Sequence, residues 1–237
     1  MEKLVYVVWR KSGVDPGPFG AHMRGELAPR LGEAGARRIA LNLVDDDVQS
    51  KLSARVGSWD PPVDGMVSFW LESAKARGEA ESALADATSQ LAGYRVEESV
   101  PIVNSERRAA PGRRTPGINM VTCIERPERM SHEAWIERWH GHHERVAIET
   151  QCTYAYVRNV VVEPLTAGAP PWSGIVEEGF PTEAVGDPMV WYCADGDPEV
   201  MKRNLARMVE SCRAFLDLDR VVSTPMSEYR LGDDAPA

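Results

Sequence analysis

Several features that mark specialised classes of protein are missing from this sequence. No apolar run approaches the ~20 residues that a transmembrane helix needs, so a membrane protein is not expected. The first ten residues, MEKLVYVVWR, lack the apolar stretch and small-residue cleavage site of a secretory signal peptide. The chain carries a net charge of −9, whereas nucleic-acid binding requires positive charge to neutralise phosphates. We therefore expect a cytoplasmic protein that binds neither a membrane nor nucleic acid.

Cysteine is also scarce, and its spacing excludes the common cysteine-based frameworks. The four cysteines lie in the second half of the chain and form no CxxC pair. This spacing predicts neither a disulfide framework nor a zinc site, so free thiols are expected. Cys123 and Cys193 are interpreted as buried thiols on strands.

What the sequence does contain is an internal repeat. A segment rich in Pro, Gly and Arg, NSERRAAPGRRTPG (104–117), divides the chain into two similar parts. When the second part is laid on the first with a shift of about 115 residues, strand-like and helix-like segments follow in the same order. Each part reads β-α-β-β-α-β, the ferredoxin-like arrangement. We predict one repeat over 1–103, a linker over 104–117 and a second repeat over 118–232.

The first strand indicates how the two repeats are arranged. Its residues are apolar on both faces, because Leu4, Tyr6 and Val8 alternate with Val5 and Val7. Helices can cover only one face of such a sheet, so the other face needs a second sheet. The sequence therefore predicts an α+β fold in which both repeats form a single-chain barrel with a largely apolar cavity between the sheets.

The second repeat contains Trp139, His143, Tyr156, Asn159 and Val161 in a distinctive order. This order resembles that of the EthD family, which belongs to the dimeric α+β barrel superfamily. The resemblance implies a tandem fusion in which His143 is matched by Leu27 in the first repeat, while the Asp64-Gly65 pair is matched by Ser173-Gly174. If the family site uses both groups, one fused site would combine His143 with Asp64. Relatives of this family are described as dehydratases or decarboxylases, and the superfamily includes isomerases, oxygenases and haem-binding proteins.

Three histidines within four residues raise the question of a metal site. Helical spacing places His142 and His143 near the apolar face of Trp135 and Trp139, and turns His140 toward solvent. The pattern is not HExxH and no third ligand is identifiable, so no metal is predicted. His143 is either a half-buried helix residue bonded to a carbonyl group or a general acid–base in a pocket.

The other candidate residues also have both a structural and a functional interpretation. Asp64 is either a turn residue or a functional residue, which would orient an imidazole or serve as a base. Tyr156 either packs in the core or donates a hydrogen bond to a developing enolate. The residues that we expect to contact a substrate, unless they only fill the core, are Asn159, Arg158, Trp9, Trp139 and Trp191.

Two functions follow from these interpretations. The first is a cofactor-independent lyase or isomerase, similar to a dehydratase or decarboxylase, that acts on a small hydrophobic or aromatic molecule in the barrel cavity. His143 would be the base, assisted by Tyr156 or Asp64. The alternative is a binding protein without catalysis for a hydrophobic ligand such as haem, with His143 as axial ligand. A homodimer of the fused barrel is compatible with either function.

Overall fold

The computed structural model describes residues 1–57 and 59–231. Its strands are β1 Glu2–Trp9, β2 Arg37–Leu43, β3 Gly65–Leu71, β4 Gln90–Ile102, β5 Ile118–Ile124, β6 Ala155–Pro164, β7 Gly174–Phe180 and β8 Val222–Leu231. Its α-helices are α1 Pro16–His22, α2 Ala28–Glu33, α3 Gly78–Ala87, α4 His132–Ile136, α5 Glu144–Thr150, α6 Pro188–Trp191 and α7 Pro198–Arg213.

All eight strands form one closed antiparallel barrel. The order around the barrel is β1-β3-β2-β8-β5-β7-β6-β4. Each half contributes four neighbouring strands in ferredoxin-like order, and the halves join where β2 pairs with β8 and β4 pairs with β6. The prediction of two ferredoxin-like repeats in a single-chain α+β barrel is confirmed.

Strand alternation sorts the apolar residues into three cores. In β1, Val5, Val7 and Trp9 point into the barrel, where they meet residues of both halves. Leu4 and Tyr6 point outward onto the helices of the first half. A third core lies between the second-half strands and α4, α5 and α7. Both faces of β1 are therefore covered, and within residues 1–57 and 59–231 the barrel leaves no unpaired strand edge.

The first helix of each half contains a π-helical turn. Met23–Leu27 connects α1 with α2, and Glu137–His143 connects α4 with α5. A π-turn bonds residue i to i+5, so its side chains do not follow α-helical spacing. The predicted orientation of two histidines is wrong for this reason: His142 is exposed, whereas His140 is half-buried.

The connections between the strands repeat in the two halves. The backbone N–H of Arg10 donates to Asp64 Oδ2 at 3.0 Å, and that of Arg126 donates to Ser173 Oγ at 3.1 Å. These contacts fix the alignment of β3 with β7 that the sequence comparison predicted. β4 ends and β5 begins within two residues of the predicted linker (104–117). The division into 1–103, 104–117 and 118–232 stays a prediction, and residue 232 lies outside the described residues.

Candidate functional site

The two halves differ most in the layer between the helices and the sheet. Structurally equivalent, helix-facing positions that are apolar in the first half are polar in the second. The first-half residues are Leu27, Ile39, Leu41 and Phe69, and their second-half equivalents are His143, Tyr156, Arg158 and Glu178. We call these four second-half residues the helix–sheet cluster. Replacing apolar core positions with ionisable side chains is unfavourable for stability unless the groups are paired, so this difference points to a function in the second half.

His143 lies between α5 and α7, on the outside of the barrel. Its Nδ1 is 3.0 Å from Ser211 Oγ, and its ring centroid is 4.6 Å from that of Phe215. Burial, together with the charges of His142, Arg138 and Arg158, lowers the pKa of His143 to about 4. The imidazole is therefore neutral at pH 7.

Tyr156 is buried in the same layer. Its hydroxyl oxygen accepts a hydrogen bond from Trp139 Nε1 at 3.2 Å. Burial and the negative charge of Glu178 raise the pKa of Tyr156, so the phenol keeps its proton at neutral pH. Because the oxygen is an acceptor here, the phenolic proton is left to donate elsewhere.

Glu178 is a candidate functional residue that the sequence did not reveal. It lies opposite Tyr156 in the β6–β7 register, on the helix-facing side of β7. Burial raises the pKa of Glu178 to about 7, so both protonation states are populated at neutral pH. The signal in the sequence is the pair of glutamates in GIVEEGF (174–180), one on each face of an otherwise apolar strand.

Arg158 supplies the positive charge of the helix–sheet cluster. Only 6% of its surface is exposed. Its Nη1 lies 2.6 Å from Glu144 Oε2, and its Nε donates to Ser99 Oγ at 3.0 Å. Burial and the charge of Arg158 lower the pKa of His140 to about 4. The Nε2 atom of His140 is buried and has no hydrogen-bond partner among residues 1–57 and 59–231.

The connection next to this layer is also specific to the second half. Residues 72–77 join β3 to α3 in the first half, whereas the much longer segment 181–197 joins β7 to α7 and includes α6. Trp191 of α6 stacks on Phe180 with ring centroids 4.0 Å apart. Trp191 was expected on or beside a strand; it belongs to a short helix. Tyr192, Cys212 and Glu178 are all half-buried, so solvent reaches part of the layer.

A disulfide anchors the α6 segment. Cys152, which follows α5, is bonded to Cys193, which follows α6, and the two Cα atoms are 5.1 Å apart. The expectation of free thiols is therefore wrong for these two residues, and Cys193 is not on a strand. Their separation of 41 residues gives no local sequence signal, because only the packing of α6 brings them together. Cys123 is a buried free thiol, as predicted.

The remaining predicted residues lie elsewhere. Asp64 forms an ion pair with Arg10, with Nε and Oδ1 3.0 Å apart, and so fixes the end of β1 in the first half. Trp9 is in the barrel core, where its Nε1 donates to the carbonyl of Pro61 at 2.8 Å. Asn159 also points into the barrel and donates to Glu177 Oε1 at 3.0 Å. The structure does not bring these three residues to His143.

The expected position of the site is therefore corrected. We predicted that His143, Tyr156 and Arg158 would face the cavity between the two sheets. Odd-numbered residues of β6 point into the barrel, whereas Tyr156 and Arg158 point toward the helices. Trp139 packs with Tyr156 in the core between the helices and the sheet. The structure brings His143, Tyr156, Arg158 and Trp139 together, but on the other face of the sheet. Their chemical roles stay predictions.

The barrel interior is not a largely nonpolar chamber either. Lys3 Nζ is 2.5 Å from Glu98 Oε2 and 3.7 Å from Glu177 Oε1. Asn42 donates to Glu177 Oε2 at 3.0 Å and accepts from Asn119 at 2.7 Å. These side chains give one end of the interior a connected polar network, while aromatic and aliphatic side chains fill the other end.

Within residues 1–57 and 59–231, no group of three or more His, Cys, Asp or Glu side chains is arranged to hold a metal ion. In the same residues, no helix has the length and apolar character that crossing a bilayer requires.

Comparison with known proteins supports the fold. No protein-family model and no curated protein matches the sequence. Among solved structures, an anthrone oxidase-like protein is similar over 100% of this chain and 95% of its own, with a TM-score of 0.56 and 10% identity. A variant of chlorite dismutase from Candidatus Nitrospira defluvii is similar over 95% of this chain and 91% of its own, with a TM-score of 0.45 and 11% identity. The DyP-type peroxidase from Mycobacterium smegmatis is similar over 99% of this chain and 95% of its own, with a TM-score of 0.43 and 12% identity.

The first of these similarities supports the class of fold that the strand order defines. At such low identity, the first likeness shows the fold alone. The chain has the dimeric α+β barrel fold, with both halves of the barrel in one polypeptide. Membership of the EthD family stays a prediction, because no family model matches the sequence.

Proposed function

We propose that this protein is a small-molecule enzyme that performs acid–base chemistry in the helix–sheet cluster of its second half. One observation carries the proposal. At four equivalent positions between the helices and the sheet, the first half has apolar side chains and the second half has polar ones. General acid–base catalysis needs a group whose pKa lies near the working pH, and Glu178 meets that requirement. The finer activity that we propose is that of a lyase or isomerase, such as a dehydratase or decarboxylase, without a cofactor.

Each residue of the helix–sheet cluster has a different role in the proposed reaction. The Glu178 carboxylate removes a proton from carbon next to a carbonyl group of the substrate. In a dehydration the enolate then expels a β-hydroxyl group, which leaves as water with the proton held by Glu178, and in an isomerisation Glu178 returns the proton at another carbon. In a decarboxylation, loss of carbon dioxide forms the enolate, and protonated Glu178 supplies the proton that takes its place. The Tyr156 hydroxyl, whose oxygen is held by Trp139, donates to the enolate oxygen that forms. Arg158 stabilises the developing negative charge. His143 is neutral and therefore acts as a hydrogen-bonding group rather than as the base that we expected from the sequence.

The substrate that we propose for this site is a small, flat, hydrophobic molecule with a carbonyl group. Trp135, Trp139 and Phe215 surround the polar residues with aromatic surface. A layer of this kind favours aromatic ketones over sugars or highly charged metabolites.

Proton abstraction can be tested without knowledge of the natural substrate. A panel of aromatic ketones is incubated with the protein in D₂O, and deuterium incorporation next to the carbonyl group is followed by NMR. We expect exchange with the wild-type chain and a loss of at least about a hundredfold in Glu178→Gln, because general-base catalysis contributes about 10²–10⁴ in rate. Glu183→Gln, which changes an exposed carboxylate in the same half, serves as the matched control. Exchange that is equal in Glu178→Gln and the control would remove Glu178 from the mechanism.

The second candidate function is ligand binding without turnover. The observation that favours it is the contact between His143 Nδ1 and Ser211, which leaves Nε2 as the one imidazole nitrogen that could bind a haem iron. The visible spectrum after addition of haem tests this role. A Soret band that shifts on binding and is altered in His143→Leu supports it, and an unchanged free-haem spectrum excludes it.

A further inference from the structure

The barrel has a cavity that is separate from the helix–sheet cluster. It opens at the end where β1 and β2 begin and where β4 and β8 end, and its volume is about 310 Å³. Residues of the segment between β4 and β5 cover it, among them Asn104, Arg108, Arg113 and Thr115. We call this cavity the barrel mouth. Its size is that of a pocket for a small organic molecule.

The lining of the barrel mouth carries more positive than negative charge. Its cationic residues are Lys3, Arg38, Arg108, Arg113 and Arg230, and its anionic residues are Glu98 and Glu177. The protein as a whole has a net charge of −9, so this concentration of cations runs against the composition. Two of the five cations come from the basic run of the linker, which the sequence interpretation treated only as a connection.

The cationic side chains on the barrel strands, at the bottom of the barrel mouth, already form ion pairs. Lys3 contacts Glu98 and Glu177, and Arg230 Nη2 lies 2.7 Å from Glu228 Oε1. The unpaired positive charge therefore lies in the segment between β4 and β5 that covers the cavity, which we call the roof. Arg108 and Arg113 are exposed, and neither forms an ion pair with a carboxylate among residues 1–57 and 59–231.

A distorted residue directs one further cation into the barrel mouth. Arg38 has a φ of 51°, in the left-handed region that a non-glycine residue rarely adopts, and the β2–β3 register shifts between Arg37 and Ala40. Such irregularities re-aim side chains and persist where the surroundings enforce them. The Arg38 guanidinium lies 4.9 Å from the centre of the Trp70 ring and 3.7 Å from Glu98 Oε1.

The rest of the lining is apolar. Trp70, Val100, Ile102 and Val157 form a wall beside the arginines. A flat apolar group fits against such a wall, while a carboxylate at one edge reaches the guanidinium groups in a bidentate manner.

From this arrangement we propose that the barrel mouth binds a small aromatic carboxylate. Arg108 and Arg113 hold the carboxylate, and Trp70 with the neighbouring aliphatic side chains holds the ring. This ligand is independent of the reaction proposed for the helix–sheet cluster, which lies on the other face of the sheet.

Isothermal titration calorimetry with 2-naphthoate and its neutral isostere 2-naphthamide tests this proposal. We expect 2-naphthoate to bind more tightly than 2-naphthamide, and its affinity to fall as NaCl rises from about 0.05 M to about 0.5 M. The double variant Arg108→Gln/Arg113→Gln should weaken 2-naphthoate binding by about tenfold, which corresponds to the loss of charge-assisted hydrogen bonds. The 2-naphthamide affinity should stay the same in that variant.

A matched control and a second variant make the outcome decisive. Arg203→Gln removes an exposed charge from α7 and should bind like the wild type. Trp70→Leu should weaken both compounds, since it removes the aromatic wall but leaves the roof in place. Equal affinity for the two compounds, or an unchanged 2-naphthoate affinity in the double variant, would overturn the proposal. Because Arg108 and Arg113 are exposed, that variant should keep the far-UV circular dichroism of the wild type.

Discussion

Two half-buried ionisable residues of the helix–sheet cluster, His143 and Glu178, change the stability of the protein in opposite directions as the pH changes. Burial first of all, helped by neighbouring charges, lowers the pKa of His143 from 6.5 to about 4. The contribution of His143 to the free energy of unfolding is fully present above pH 6.5 and is lost as the pH falls toward 4. The reason is that the imidazole binds a proton at a higher pH in the unfolded chain than in the folded one. Burial raises the pKa of Glu178 from 4.5 to about 7. Its contribution is complete below pH 4.5 and is lost as the pH rises toward 7.

Replacing His143 by the residue found at its first-half equivalent separates these effects. In His143→Leu, which copies Leu27, the loss of stability between pH 6.5 and pH 4 should be smaller than in the wild type by up to roughly 3 kcal/mol. Urea unfolding at several pH values measures the difference. The exposed His132 provides the control, since His132→Gln should follow the wild-type profile. Parallel profiles for His143→Leu and the wild type would show that His143 titrates normally.

At the scale of elements, the α6 segment makes the second half different from the first. It has no counterpart between β3 and α3, and it lies against the strand that carries Glu178. The stacking of Trp191 on Phe180 and the Cys152–Cys193 disulfide hold it in place. We interpret it as a cover for the helix–sheet layer.

The disulfide should contribute measurably to stability. A bond that closes a loop of 41 residues restricts the unfolded chain, and such bonds typically contribute about 2–4 kcal/mol. Cys152→Ser/Cys193→Ser should therefore unfold at a lower temperature than the oxidised wild type. A reducing agent should lower the melting temperature of the wild type but not that of the double variant. Thiol titration of the unfolded, unreduced wild type should find the two free thiols, Cys123 and Cys212. Four reactive thiols in that titration would contradict the bond.

At the scale of the whole molecule, the two halves share one barrel. Strand pairing between β2 and β8 and between β4 and β6 joins them, and a common apolar core fills the interior. A homodimer of this chain stays a proposal. All eight strands already have two neighbours, so a second copy would have to pack on another surface.

Shared pairing and a shared core predict cooperative unfolding. Far-UV circular dichroism, which reports secondary structure, and near-UV circular dichroism, which reports the packing of the tryptophans, should give the same urea transition. Two separated transitions, or midpoints that differ between the probes, would show that each half folds independently.

The repeat and the architecture both follow from the pattern of the amino-acid sequence. Two runs of β-α-β-β-α-β pattern and a first strand that is apolar on both faces leave few arrangements other than a closed double sheet. The equivalence of Asn42 with Asn159, and the position of His143 on the first helix of the second half, could also be derived from the pattern.

The face of the sheet on which each candidate residue lies, in contrast, depends on the tertiary fold. A strand changes face at every residue, so Tyr156 and Asn159 diverge to opposite sides of β6 although they are three residues apart. The π-turn changed the orientation of the histidines, and the packing of α6 joined two distant cysteines. Glu178 and the roof of the barrel mouth depend on contacts between segments far apart in the chain, which local spacing cannot encode.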